Sequence, residues 1–385
     1  MEYTKVKLGD ILTSISETIS KEQQTAIFLN TSDISEGKFL HKRSSVVKEL
    51  PGQAKKKIKN GDILFSEIRP KNKRYAVVDV SNPNDYVVST KLMVLRIKDP
   101  SKYYLQYIYQ QLISQKMLHQ INEIAESRSG TFPQITFDAI KNIELTPPPL
   151  EEQKRIADIF TVLDDKIELN NQMNQTLEEI ASLLYKRWFV DFEFPDDKGN
   201  PYKSSGGEMV DSELGMIPKG WEVKELGEVL EISSGNRPVQ KSEEKTKENI
   251  FPIVGASKIM GYTNNYILDD TNEVLIIGRV GTLGIIQEYR EKIWVSDNTL
   301  IIKSNFQNYI KQYLSNVDFY SLNSGSTQPL ITQTTINKLL IVVPCNKVTD
   351  KFEKIESSNV KIKFSNTYEI KKIQRLKREL LKELI

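Results

Sequence analysis

The stretch EEQKRIADIFTVLDDKIELNNQMNQTLEEIASLLYKRWF, residues 151–189, decides how the rest of the chain is read. Ile156, Leu163, Asn170, Leu177 and Leu184 recur every seven residues, and Phe160, Ile167, Asn174, Ala181 and Trp188 follow each of them by four. Apolar positions at three-four spacing, with charges between them, predict a helix carrying a coiled-coil seam. At about 1.5 Å per residue such a helix runs roughly 58 Å, too long for one small domain to wrap, so it needs a partner helix. Residues 348–385 supply one, with Phe352, Asn359, Asn366, Ile373 and Leu380 again seven apart. Asn170 and Asn366 lie near the middles of the two helices. Antiparallel packing is expected to bring their amides together, at some cost in stability and with a gain in register. The competing reading packs each helix on its own neighbouring domain.

Composition sets the bounds. A chain of 385 residues has room for two or three domains, and 39% apolar residues are ordinary for a folded protein. The net charge of +2 excludes a generic polycation, so any nucleic acid must be held by local patches. One cysteine, Cys345, excludes a disulfide framework and a cysteine metal cluster, and His41 and His119 are too far apart to suggest a histidine metal site. The opening MEYTKVKLGD has no apolar signal core and no run of about 18 apolar residues occurs, so a cytoplasmic protein without a membrane association is expected.

Outward from the helix, the chain repeats itself. VKLGDIL from Val6 reappears as VKELGEVL from Val223. The strand candidates AIFLNTSDI (from Ala26), GDILFSEIRP (from Gly61) and YVVSTKLMVLRI (from Tyr86) match IFPIVGASKI (from Ile250), NEVLIIGRVG (from Asn272) and IWVSDNTLIIK (from Ile293). A helix follows in each half, near residues 101–126 and 306–322, and then a similar turn, SGTFPQIT from Ser129 and SGSTQPLIT from Ser324. At one constant offset Thr131 falls on Thr327, Pro133 on Pro329, Ile135 on Ile331, Pro148 on Pro344 and Asn170 on Asn366. The chain therefore reads as α+β: a strand-rich domain plus a long helix, duplicated in tandem, with the two helices forming an antiparallel coiled coil. The segment PDDKGNPYKSSGG from Pro195 reads as a solvated linker. Two similar globular halves on a helical rod have the symmetry of a reader of two half-sites at fixed separation on duplex DNA.

Several loops could hold such a duplex. The densest basic stretch carries Lys55, Lys56, Lys57, Lys59, Arg69, Lys71, Lys73 and Arg74 against only Asp62 and Glu67, which suits phosphate contacts; a solvated lysine loop is the plain alternative. In the second half the matching strand ends in Gly278-Arg279-Val280-Gly281-Thr282, where glycines permit close approach and Arg279 has the fork that grips guanine; a tight hairpin with a surface arginine is the alternative. The paired turns offer Thr131 and Gln134 in one half, and Ser326, Thr327 and Gln328 in the other. Asn236 and Arg237 sit at the tip of a further Gly-Asn-Arg turn.

Catalytic patterns are missing. The one proline run, Pro147-Pro148-Pro149-Leu150, lacks the residues an amino-methylating loop needs, and it precedes a helix, where proline is a natural starter. No Gly-rich nucleotide loop or Walker motif occurs. Pro195-Asp196 with Glu222-Val223-Lys224 only superficially resembles a nuclease pattern, and there is no Cys/His dyad for nucleophilic catalysis. The chain reads as a reader, not an enzyme, with no cofactor or metal of its own.

LTPPPLEEQKRIADIFTVLDDKIELNNQ from Leu145, LYKRWFVDFEFP from Leu184 and GGEMVDSELGMIPKGWEV from Gly206 resemble the central conserved region of type I restriction–modification specificity subunits. The resemblance implies target-recognition domains over residues 1–146 and 216–345, conserved helices within 147–192 and 346–385, and a linker over 193–215. It implies that each domain reads one part of a gapped double-stranded DNA sequence. It also implies two methylation subunits and, in some complexes, two restriction–translocase subunits as partners, which carry the S-adenosylmethionine, ATP and magnesium. Apolar residues not needed for the seam, Ile159, Met173, Ile180 and Tyr185 in the first helix with Ile355, Ile362 and Leu376 in the second, are candidate docking positions. The second helix departs from the family by replacing the proline-rich lead with VPCNKVTDKF. A specificity protein of a related phage-defence methylation system without the usual nuclease is the alternative.

Overall fold

The computed structural model describes residues 4–20, 22–128, 133–269, 274–325 and 327–384; Thr131 and Ser326, two expected contact residues, lie outside them. The chain forms two compact units, Met1–Leu169 with Glu369–Ile385, and Asn170–Tyr368.

In the first unit, one sheet runs in the order Leu12–Ile15, Leu92–Ile97, Ile63–Ser66, Tyr75–Val77, all antiparallel. A second sheet orders Ser44–Val46, Thr25–Leu29, Tyr86–Ser89 and Ala54–Lys56, and its two central strands are parallel. Ile63–Ser66 is buried at every position, as a short continuous apolar run in the middle of a sheet requires. The second unit repeats the plan. Glu231–Ser234, Thr299–Lys303, Val274–Gly278 and Ile286–Tyr289 form the antiparallel sheet, and Phe251–Val254 pairs parallel with Trp294–Val295. The entry into each domain is pinned alike: Leu8 N–H donates to Ile143 O at 2.8 Å, and Leu226 N–H to Leu339 O at 2.7 Å.

The expected helix near 101–126 is two helices, Leu105–Ile113 and Gln115–Arg128. Ser114 breaks them by turning extended, and its hydroxyl accepts the Met117 N–H. The counterpart shortens to Gln307–Ser315. Both long helices form, Leu150–Tyr185 and Asn346–Leu384. Each also caps its own domain's helix, whose first N–H groups otherwise lack partners. Gln153 Oε1 accepts from Tyr104 N at 2.9 Å, and the Glu353 carboxylate from Tyr309 N at 2.9 Å and Asn308 N at 3.3 Å.

The two long helices pack together antiparallel. In the first unit Asp164 pairs with Lys377 at 2.6 Å and Lys166 with Glu369 at 3.3 Å; in the second Asn174 meets Asn366 and Glu178 meets Lys363 at 3.0 Å. Numbers rise along one helix as they fall along the other. The competing reading holds as well, at the helix ends. Ile156 and Phe160 lie in the first unit's core with Leu8, Tyr107 and Ile140, and Leu380 packs against that cluster. Trp188 and Phe352 lie in the second unit's core, with Leu184 packed against it. Leu163, Ile167 and Leu177 are half-buried and Ile373 is buried.

Two expectations are corrected. The Asn366 amide donates to Asn174 Oδ1 at 2.9 Å, not to Asn170, although Asn170 is buried. An antiparallel seam sets the first apolar position of one heptad against the fourth of the other, so Asn366 faces the residue four beyond Asn170. The segment read as a solvated linker is ordered: Phe194 stacks on Tyr202 at 4.6 Å and on Trp221 at 4.9 Å, and Met209–Val210 pairs with Ile217–Pro218. Phe194, just before the segment, thereby ties Tyr202 within it to Trp221 beyond it. Tyr185, proposed for partner docking, is instead buried against Tyr309 and Phe189.

Candidate nucleic-acid interface

In the second unit, four separate loops converge where the strand Val274–Gly278 ends. Arg279 N–H donates to Asn298 O at 3.0 Å, and its carbonyl accepts from Ile331 N at 2.9 Å. The loop beyond is tied to the Ser324 turn, because Gly281 N–H donates to Pro329 O at 2.9 Å and Val280 bridges Leu330. Gly281 has φ +79°, and a Cβ there would stand 3.5 Å from Gln328 Nε2. The Arg279 guanidinium donates through Nη1 to Ser234 Oγ at 3.2 Å, and Gln333 Nε2 donates to the same oxygen at 2.9 Å. Ser234 begins the Asn236 turn, which is held down by Asn236 N–H donating to Val295 O and by Trp294 Nε1 donating to Asn236 O at 2.7 Å. Gly235 is required there, because a Cβ would lie 2.2 Å from Ser296 O. Around this cluster Asn236, Arg237, Thr282, Thr327 and Gln328 are exposed, and Arg237 pairs with Asp297 at 3.3 Å.

The first unit builds the same junction. Arg69 N–H donates to Pro133 O at 3.0 Å, Ile68 bridges Gln134, and Ile135 N–H donates to Glu67 O at 2.8 Å. The basic loop is taut: Arg69 and Lys73 take left-handed backbone conformations on either side of Pro70–Asn72. Lys55, Lys57, Lys59, Arg69, Lys71, Lys73 and Gln134 are exposed. Lys73 is shared with Glu36 at 3.0 Å. Arg74 is half-buried, with Nη1 3.3 Å from Thr31 Oγ1, so it braces the fold more than it faces solvent. Lys56 turns inward, donating to Leu92 O at 2.7 Å and standing 3.9 Å from Glu67. Burial lowers the Lys56 ammonium against the pull of Glu67, with Lys91 adding repulsion. Burial likewise raises the Glu67 carboxyl, and Lys56 and Lys91 hold it back.

Sequence reasoning missed Glu67, Asn298 and Gln333 as parts of these junctions. The repeat held the signal for Glu67: matching Gly61 to Asn272 set it on Gly278, but the hydrogen bonds shift that strand by one and set it on Arg279. Among the described residues no cluster of His, Cys, Asp and Glu could hold a metal ion, and no helix is long and apolar enough to cross a membrane.

Residues 1–179 and 218–376, one segment in each repeat, match the family described as "Type I restriction modification DNA specificity domain". The chain belongs to the type I restriction–modification DNA specificity family. It is 32% identical to the type I restriction enzyme HindI specificity subunit of Haemophilus influenzae, spanning 100% of this chain and 99% of that one. It is 27% identical to the MjaIX specificity subunit of Methanocaldococcus jannaschii over 73% of this chain and 68% of that one. The crystal structure of a type I restriction–modification S subunit from M. genitalium shares the fold, with TM-score 0.60 at 17% identity, covering 100% of this chain and 96% of that one. The specificity family thus accounts for both repeats.

Proposed function

We propose that this chain is the DNA-reading subunit of a type I restriction–modification complex, in which each repeat reads one part of a gapped double-stranded sequence. The observation that carries this reading is the same loop junction built twice, at Glu67–Arg69 and at Arg279–Gly281, each surrounded by exposed polar and basic side chains. Basic groups such as Lys55, Lys57 and Lys71 meet phosphates, and the junction residues meet base edges. The chain itself performs no chemistry. Adenine methylation belongs to two methylation subunits and cleavage to two restriction–translocase subunits, which bring S-adenosylmethionine, ATP and magnesium in the cytoplasm.

The long helices offer the methylation subunits a dock. In the first helix Val162, Leu169, Met173, Ile180 and Leu183 are 40–67% exposed, at helical spacing along one side. Ile355, Ile362 and Leu376 repeat the pattern in the second, each above 40% exposed. Exposed apolar residues in such a series suit a partner better than water.

The test is retention from a random duplex library by the chain assembled with its methylation subunits. We expect enrichment of a two-part sequence with a fixed unread gap, and retention that weakens steeply with salt. Salt-independent retention, or retention with no sequence in common, contradicts the reading.

A further inference from the structure

One position is occupied twice in this chain, by residues of opposite charge. Glu67 N–H donates to Lys91 O at 2.9 Å and its carbonyl accepts from Ile135 N at 2.8 Å; Arg279 makes the matching bonds with Asn298 O and Ile331 N at 3.0 and 2.9 Å. The strands leading in agree, with Ser66 opposite Leu92 and Gly278 opposite Thr299, and two residues later Arg69 and Gly281 donate to Pro133 O and Pro329 O. With N–H and C=O both committed, each backbone is fixed and the side chain leaves from the same point of the fold.

The side chains are presented differently. Ser234 Oγ accepts from both Arg279 and Gln333, which fixes one edge of the guanidinium. Arg279 Nε is buried and has no acceptor among the described residues, so part of the fork is uncommitted. Leaving a buried donor unmet is costly unless a ligand completes the site. Glu67 is 18% exposed, and Lys56 and Lys91 stand near it. Those two cations offset the repulsion that a lone carboxylate would meet beside DNA phosphates.

We infer that Arg279 and Glu67 read one base pair each, with opposite requirements. Arg279 takes the paired acceptors of guanine, O6 and N7, in the half-site of the second domain. Glu67 accepts from the exocyclic amino group of cytosine in the half-site of the first. Lys56 and Lys91 are positioning residues for Glu67, as Ser234 and Gln333 are for Arg279. The inference rests on the DNA-reading role proposed above.

The experiment maps adenine methylation in cells carrying the whole complex with the native chain, Arg279→Ala, Arg279→Lys or Glu67→Gln. Arg279→Ala should lower the preference for guanine at one position of one half-site by about tenfold or more, and leave the other half unchanged. Arg279→Lys keeps the charge but not the fork, so it should relax the same position less. Glu67→Gln adds a donor beside the acceptor and should admit adenine in place of cytosine at one position of the opposite half. An unchanged sequence at lower occupancy, changes from both sites in the same half, or loss of all methylation in every variant would overturn the inference. If the native complex writes no two-part sequence, the DNA-reading role itself falls.

Discussion

Glu356 shows at single-residue scale how the second long helix holds its domain. It is 3% exposed, accepts from Asn359 Nδ2 at 3.0 Å, and faces Lys311, Lys363 and Glu353. Burial raises its carboxyl above the ordinary value; the Asn359 hydrogen bond and the two lysines pull it back, and Glu353 adds to the rise. Glu288 binds Lys311 at 2.5 Å and lies 3.6 Å from Lys363, so those cations are divided among several carboxylates. A carboxyl raised on folding stabilises the fold fully below its unfolded pKa, and that contribution is lost as pH rises through the folded one. Thermal melts of the whole chain should therefore lose stability from this group as pH rises from the acid range toward neutral. Glu356→Gln keeps the acceptor for Asn359 and removes the charge, so it should flatten that slope and raise the neutral-pH melting temperature. A steeper slope in the variant would contradict this account. At this scale the sequence was least legible. Arg279, Ser234 and Gln333 meet only because the fold brings together residues 45 and 99 positions apart. No local pattern announces such a meeting.

Among the elements, the long helices were legible because a seven-residue repeat leaves little choice of structure. The partner of Asn366 followed from a second fact, the alternation of facing positions in an antiparallel seam. Asn174 also donates to Thr367 Oγ1 at 3.5 Å, so this polar layer joins three side chains. Replacing Asn174 and Asn366 together with Leu should stabilise the chain by an amount on the order of 1–3 kcal/mol, measured as a later denaturant midpoint. The same variant should lose register, seen as methylation at sites with more than one gap length. An earlier midpoint would mean that the amides stabilise the pair rather than only aligning it. The segment after the first helix was misread for a physical reason as well. Its middle has the composition of a linker, but Phe194 just before it stacks on both Tyr202 within it and Trp221 beyond it, which composition over a short window does not register.

Across the whole molecule, duplication was the most legible feature. Each pattern returns in the same order, and the hydrogen bonds at Leu8 and Leu226, or at Glu67 and Arg279, reproduce one another. The repeated plan carries different chemistry in each copy. Lys55, Lys57 and Lys71 are exposed in the first domain, while the second collects Asn236, Thr282, Thr327 and Gln328 around its arginines. Replacing those three lysines with Ala should flatten the plot of log affinity against log salt by about one for each phosphate lost. An unchanged slope would show that these lysines face away from the duplex. The most direct measurement is the adenine methylation map of the host genome with and without this gene. Loss of one two-part gapped sequence on deletion, restored by the intact gene, is the expected result. An unchanged map in a host whose methylation subunit is active would contradict the claim that this chain chooses the DNA.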